Sequence, residues 1–165
     1  MSLVPFDSLP DDARLWCFAA SRPPDAAETA RLLDGVSTFL STWTAHRAPL
    51  SAGFDWRYQQ FLLVAVDETP AAASGCSIDG LVEQLRDLER ELGLTLIDAS
   101  PVWYRDAEGS VRTSGRQAFR GLAREGRVGP QTTVFDLAVT RLGDVRGGLW
   151  ELPAAESWHA SLLAR

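Results

Sequence analysis

The amino-acid sequence predicts an α+β fold, an α/β sandwich forming a single domain over residues 1–165. Three observations carry this expectation. Two stretches place apolar residues three and four apart, the period of an amphipathic helix. Short alternating or unbroken apolar runs lie before, between and after them, as strands require. Their order, β-α-β-β-α-β, is that of the split βαβ or ferredoxin-like layout, with further elements at the C-terminus.

Residues 14–20, Arg14 followed by Leu15-Trp16-Cys17-Phe18-Ala19-Ala20, read as the first strand, which Arg22-Pro23-Pro24 ends. Asp25 has a short acceptor side chain and is placed to cap a helix. That helix is expected to run to about His46, with Leu32, Leu33, Val36, Phe39, Leu40 and Trp43 on one face and Pro49 just beyond. Phe54, Trp56 and Tyr58 alternate with Asp55 and Arg57, the pattern of a strand with one wet face. The unbroken run from Phe61 to Val66 reads as a central strand covered on both faces. A second helix carries Ile78, Leu81, Val82, Leu85, Leu88 and Leu92, and Gly93 stops it. Residues 94–97 are expected to return as a strand. Val102-Trp103-Tyr104 and Val111-Arg112 flank a turn at 106–109, a plausible hairpin. A short helix spans about 114–125, a strand 132–137, and the tail around Pro153 is expected to be helical in pieces.

Composition bounds the function. The 165 residues fit one domain of the usual ~100–200. With 45% hydrophobic and 23% charged residues the chain is globular rather than disordered. No apolar run approaches the ~20 residues needed to span a bilayer. The start has no basic segment followed by an apolar one, so a cytoplasmic protein without signal peptide or membrane partner is expected. Cys17 and Cys76 fit that compartment as free thiols. A net charge of −6 and a pI near 4.9 argue against a nucleic-acid partner. Arg112, Arg116, Arg120, Arg124 and Arg127 read mainly as the solvated outer stripe of a helix. Every cation is arginine, because the chain has no lysine. Schiff-base chemistry needs a lysine amine, and a standard P-loop needs a lysine on the phosphates, so neither class is expected.

Cys76 stands out among chemical candidates. It lies in a Ser-Gly-Cys-Ser loop at the start of the second helix, where unpaired N–H groups and the helix dipole favour a thiolate. With Ser74 as N-cap, Cys76 falls in the first turn; with Ser77 as N-cap, it falls outside. Its plainer role is to pack a loop as a small hydrophobe. His46 and His159 are the two histidines, and either is a candidate base for Cys76, with Asp79 or the helix N-terminus stabilising charge. Both also suit structural roles. Cys76, His46 and His159 with Asp67 or Asp79 are suitable metal ligands by type, but no C-x-x-C, H-x-x-x-H or H-E-x-x-H spacing supports a metal, and no cofactor is implied. Asp67 ends the central strand, where carboxylates reach sites in α/β proteins. Arg22 and Arg57, with Arg14, have the fork that binds carboxylate or phosphate. Of six tryptophans, Trp16 and Trp43 fit the core, whereas Trp56, Trp150 and Trp158 lie near polar segments and suit a pocket or interface.

Several strings taken together resemble an uncharacterised family of small bacterial proteins often labelled "ABC transporter ATPase". They are Ser21-Arg22-Pro23, Trp43-Thr44-Ala45-His46, Ala73-Ser74-Gly75-Cys76-Ser77-Ile78-Asp79, Val134-Phe135-Asp136 and Trp150-Glu151-Leu152-Pro153 with Ser157-Trp158-His159. The resemblance spans nearly the whole chain and is most specific at the Cys76 string. It carries over no catalytic residue, and the ATPase label conflicts with the missing Walker A motif and the missing lysine.

Three functions follow from these residues. The first is a non-catalytic module for a small-molecule or protein partner, with a pocket or surface lined by tryptophan and arginine. The second is a thiol-dependent enzyme built on Cys76. The third is a metal-assisted enzyme. A sheet edge left open by this topology also suits a homodimer.

Overall fold

The computed structural model describes residues 2–163 and is an α+β protein. Its contacts divide the chain into two compact units. One holds the chain up to Asp98 together with Thr140–Gly143; the other holds Ala99–Val139 and the chain from Asp144 onward. No helix among the described residues is long and apolar enough to cross a membrane.

The first unit is built on β1 (Arg14–Ala19), α1 (Ala26–Ser41), a small hairpin of β2 (Thr44–Ala45) and β3 (Ala48–Pro49), then β4 (Ser51–Arg57), β5 (Phe61–Asp67) and α2 (Gly75–Leu92). Its three-stranded sheet has the order β1-β5-β4 and is antiparallel throughout. β5 is central and buried from Phe61 to Val66, as its unbroken apolar run requires. Leu62, Val64 and Val66 share one core with Leu32, Val36 and Leu40 of α1 and Leu81, Leu85 and Leu88 of α2. Each such burial stabilises the fold by about 1.5–3 kcal/mol.

Both long helices start where their polar residues allow. Asp25 caps α1 in a capping box with Glu28, and Ser74 caps α2 in a capping box with Ser77. Gly93 ends α2 in the left-handed conformation, at φ 65°, which costs glycine nothing.

Two expectations for this unit are corrected. α1 ends at Ser41 rather than near His46. Trp43 has a better use outside the helix: its indole Nε1 donates to the Ser77 carbonyl at 2.8 Å, and its own carbonyl accepts from Leu50 N–H and Ser2 Oγ. The chain therefore turns into the β2–β3 hairpin, with His46 and Arg47 at its tip. Residues 94–97 form no strand. The N–H groups of Leu96 and Ile97 donate to the Glu89 carboxylate instead of to a ladder partner. The outer edge of β1 is bridged instead by the returning segment, with Arg14 opposite Arg141, Leu15 N–H on the Thr140 carbonyl and Leu142 N–H on that of Ala13.

The second unit is built on β6 (Val102–Arg105), β7 (Val111–Ser114), α3 (Arg116–Arg124), β8 (Thr133–Phe135) and β9 (Glu151–Pro153), with short 3₁₀ turns at Ala154–Glu156 and Trp158–Leu162. Its antiparallel sheet has the order β7-β6-β8-β9. The predicted hairpin is present, in the register Val102 opposite Ser114. Val102, Phe119, Val134, Leu152 and Leu162 form its core. A helix of five residues, α4 (Leu142–Arg146), precedes β9. Pro153 ends a strand instead of separating two helices, and Trp150 is fully buried against Phe135 rather than lining a surface.

Candidate functional site

The start of α2 resolves the placement of Cys76. Ser74 Oγ accepts from Ser77 N–H at 3.2 Å, and Ser77 Oγ accepts from Ser74 N–H at 2.7 Å. Ser74 is thus the N-cap, and Cys76 is an exposed, free thiol in the first turn, which contains no acidic residue. The Trp43 indole bond to Ser77 ties the β2–β3 hairpin to this turn. His46 and Arg47, at the exposed tip, both have positive φ, 51° and 68°. Asp79 is exposed on the same helix. Asp67 ends β5 and accepts from Thr69 N–H at 2.9 Å in a local turn. Among the described residues, no three histidine, cysteine or carboxylate side chains are grouped to hold a metal ion.

The arginines expected to hold an external anion are occupied. Arg22 donates to both Glu28 oxygens, at 2.9 and 2.6 Å, and to the Leu92 carbonyl at the end of α2 at 2.9 Å. That fork is filled by the protein's own carboxylate, and the Arg22 hydrogen bond holds the Glu28 carboxyl down at about 2. Arg57 Nε is 2.7 Å from Asp55 Oδ2.

A different constellation lies wholly within the second unit. A cavity of about 440 Å³ is lined by Ala99, Pro101, Arg116, Phe135, Leu137, Ala138 and Trp158. Arg116 is the first residue of α3, and its guanidinium lies 4.8 Å from the centre of the Trp158 ring. It makes no ion pair among the described residues. Trp158 is 37% exposed and stacks on His159, with ring centres 3.9 Å apart and 25° between planes.

His159 is 1% exposed. Its Nδ1 lies 2.7 Å from Ser157 Oγ, which also accepts from the His159 backbone N–H at 3.2 Å. Burial pushes the imidazole down to about 4; the Asp136 carboxylate opposes this and the Arg116 charge adds to it. His159 is therefore a neutral buried platform beneath Trp158, capped by Ser157, rather than an exposed base.

A larger cavity of about 600 Å³ in the same unit is lined by Tyr104, Asp106, Arg112, Arg127 and neighbours. Its cations are already matched: Arg112 Nε bonds Asp106 Oδ2 at 2.7 Å, and Arg127 lies 3.9 Å from Glu125. The smaller cavity differs in having apolar walls and one cation that makes no ion pair among the described residues.

Sequence reading placed Trp158 and His159 among the candidates but assigned Arg116 to a solvated stripe. Arg116, Arg120 and Arg124 are indeed exposed on α3. One signal separates Arg116 from the others: it follows Gly115 at the helix start, where the dipole disfavours a cation. Comparison with known proteins finds no match among family models, curated proteins or solved structures.

Proposed function

We propose that this protein is a non-catalytic binding module whose small-molecule ligand occupies the cavity between Arg116, Phe135 and Trp158. The observation that carries this reading is the Arg116 guanidinium over the Trp158 ring, without an ion pair among the described residues, in an otherwise apolar cavity. Ligand pockets commonly combine apolar and aromatic walls with a few placed polar groups. The test is a thermal-shift screen of a metabolite library against the wild type and Trp158→Ala. Compounds that stabilise the wild type and not the variant support the reading. A library with no stabilising compound, or hits indifferent to Trp158→Ala, overturns it.

A second reading, a thiol-dependent enzyme using Cys76 with His46 as base and Asp79 on the same helix, is favoured by one observation. Cys76 is exposed and lies in the first turn of α2. On this reading its alkylation by iodoacetamide at neutral pH is faster in the folded protein than in urea. Mass spectrometry reads the rate; alkylation no faster when folded removes the support for this reading.

A further inference from the structure

We infer that the cavity selects a small carboxylic acid with a flat or branched apolar body, its carboxylate bound by Arg116 and its body covered by Trp158 and Phe135. This rests on the reading of the cavity as a ligand site and adds the ligand's chemical class. Arg116 is the one charged group among the seven lining residues. A neutral ligand would leave that guanidinium partly desolvated and unpaired, and a cation would be repelled. A monoanion matches it.

The geometry favours a carboxylate over other anions. The Arg116 guanidinium over the indole ring carries the N–H fork that suits a bidentate carboxylate. A phosphate ester carries about −1.5 to −2 at neutral pH and would bring excess charge into a cavity with one cation. Arg116 also opens α3 after Gly115, which supplies no capping side chain. A carboxylate there would offset a cation at the unfavourable end of a helix. The protein's net charge of −6 repels anions at long range, so the selection for acids is local to this cavity. A volume of about 440 Å³ is at the small end of the range of ligand pockets, about 300–1,000 Å³, which suits a single ring with a short acid chain.

The experiment uses the full chain labelled with ¹⁵N and three probes of one shape: phenylacetate, phenylacetamide and phenethylamine. The Trp158 indole N–H resonance reports binding. Phenylacetate is expected to bind about tenfold more tightly than the amide, a difference of about 1.4 kcal/mol, and the amine to bind most weakly. Arg116→Gln, a change at an exposed position, should bring acid and amide to the same affinity, and Trp158→Ala should weaken both. If acid and amide bind the wild type equally, or Arg116→Gln keeps the preference, the carboxylate inference fails and the cavity reading survives. If no probe moves the Trp158 resonance up to its solubility limit, both fail.

Discussion

At the scale of single residues, His159 shows how burial converts a titratable group into a structural one. Its imidazole is held near 4 in the folded chain, against an ordinary value of 6.5. Between those values the unfolded chain binds the proton and the folded chain does not, so stability falls as pH falls. The contribution is complete above about pH 6.5, declines towards pH 4 and changes no further below it. Its full size is of order 3 kcal/mol, at about 1.4 kcal/mol per pH unit of displacement. Urea midpoints at pH 7 and pH 4.5 should therefore differ by less in His159→Phe than in the wild type. An equal pH dependence in the two proteins would mean that His159 does not carry the effect. Glu28 acts in a lower window: its carboxyl lies near 2 through its bond to Arg22, so its contribution is lost only below about 4.5. The local chemistry of these residues was partly legible. Arg22 has the same fork whether its partner is a ligand or Glu28, and only six residues of chain separate it from the carboxylate that fills it.

At the scale of elements, α2 follows its sequence closely and the segment after α1 does not. The face Leu81, Leu85 and Leu88 is buried, Ser74 caps the start and Gly93 ends the helix, so local preference and tertiary packing agree. After Ser41 they compete. The apolar period would carry Trp43 along α1, but Trp43 instead buries its ring and bonds α2, forcing a two-residue turn at His46 and Arg47. Such turns require positive φ at both positions and favour Asn-Gly, whereas histidine and arginine adopt it at a cost of about 1–2 kcal/mol each. The turn after β4 has the same character, with Tyr58 at φ 54° and Gln59 at φ 55°. Arg47→Gly and Gln59→Gly are each expected to stabilise the protein by up to about 1 kcal/mol, net of glycine's entropy in the unfolded chain. Chemical denaturation measures this; a lower midpoint in both variants would show that the turns are not strained.

At the scale of the whole molecule, two antiparallel sheets form separate compact units, and the chain returns once from the second to the first. Thr140–Gly143 lies along β1, and a Cβ on Gly143 would come within 2.9 Å of the Asp11 carbonyl oxygen, so the segment docks where only glycine fits. No composition shift or linker announces this return. The surface keeps a net charge of −6 with arginine as its only basic residue apart from histidine, which the sequence states directly. The candidate site was legible only in part. Trp158 and His159 stood out by type, but Arg116 lies about forty residues earlier and meets Trp158 through the packing of the turn at Trp158–Leu162 against α3.

The sequence by itself determined the α+β class, the central buried strand, the two long helices with Asp25 capping the first and Gly93 ending the second, and the lack of lysine in the chain. These depend on period, turn residues and composition, which act over a few residues. Only the tertiary structure decided that Ser74 rather than Ser77 caps α2, that 94–97 pairs with a side chain instead of a strand, and that Arg116 and Trp158 share a cavity. Those outcomes depend on which distant group satisfies a buried polar atom or covers an apolar face, and that is settled when the chain folds.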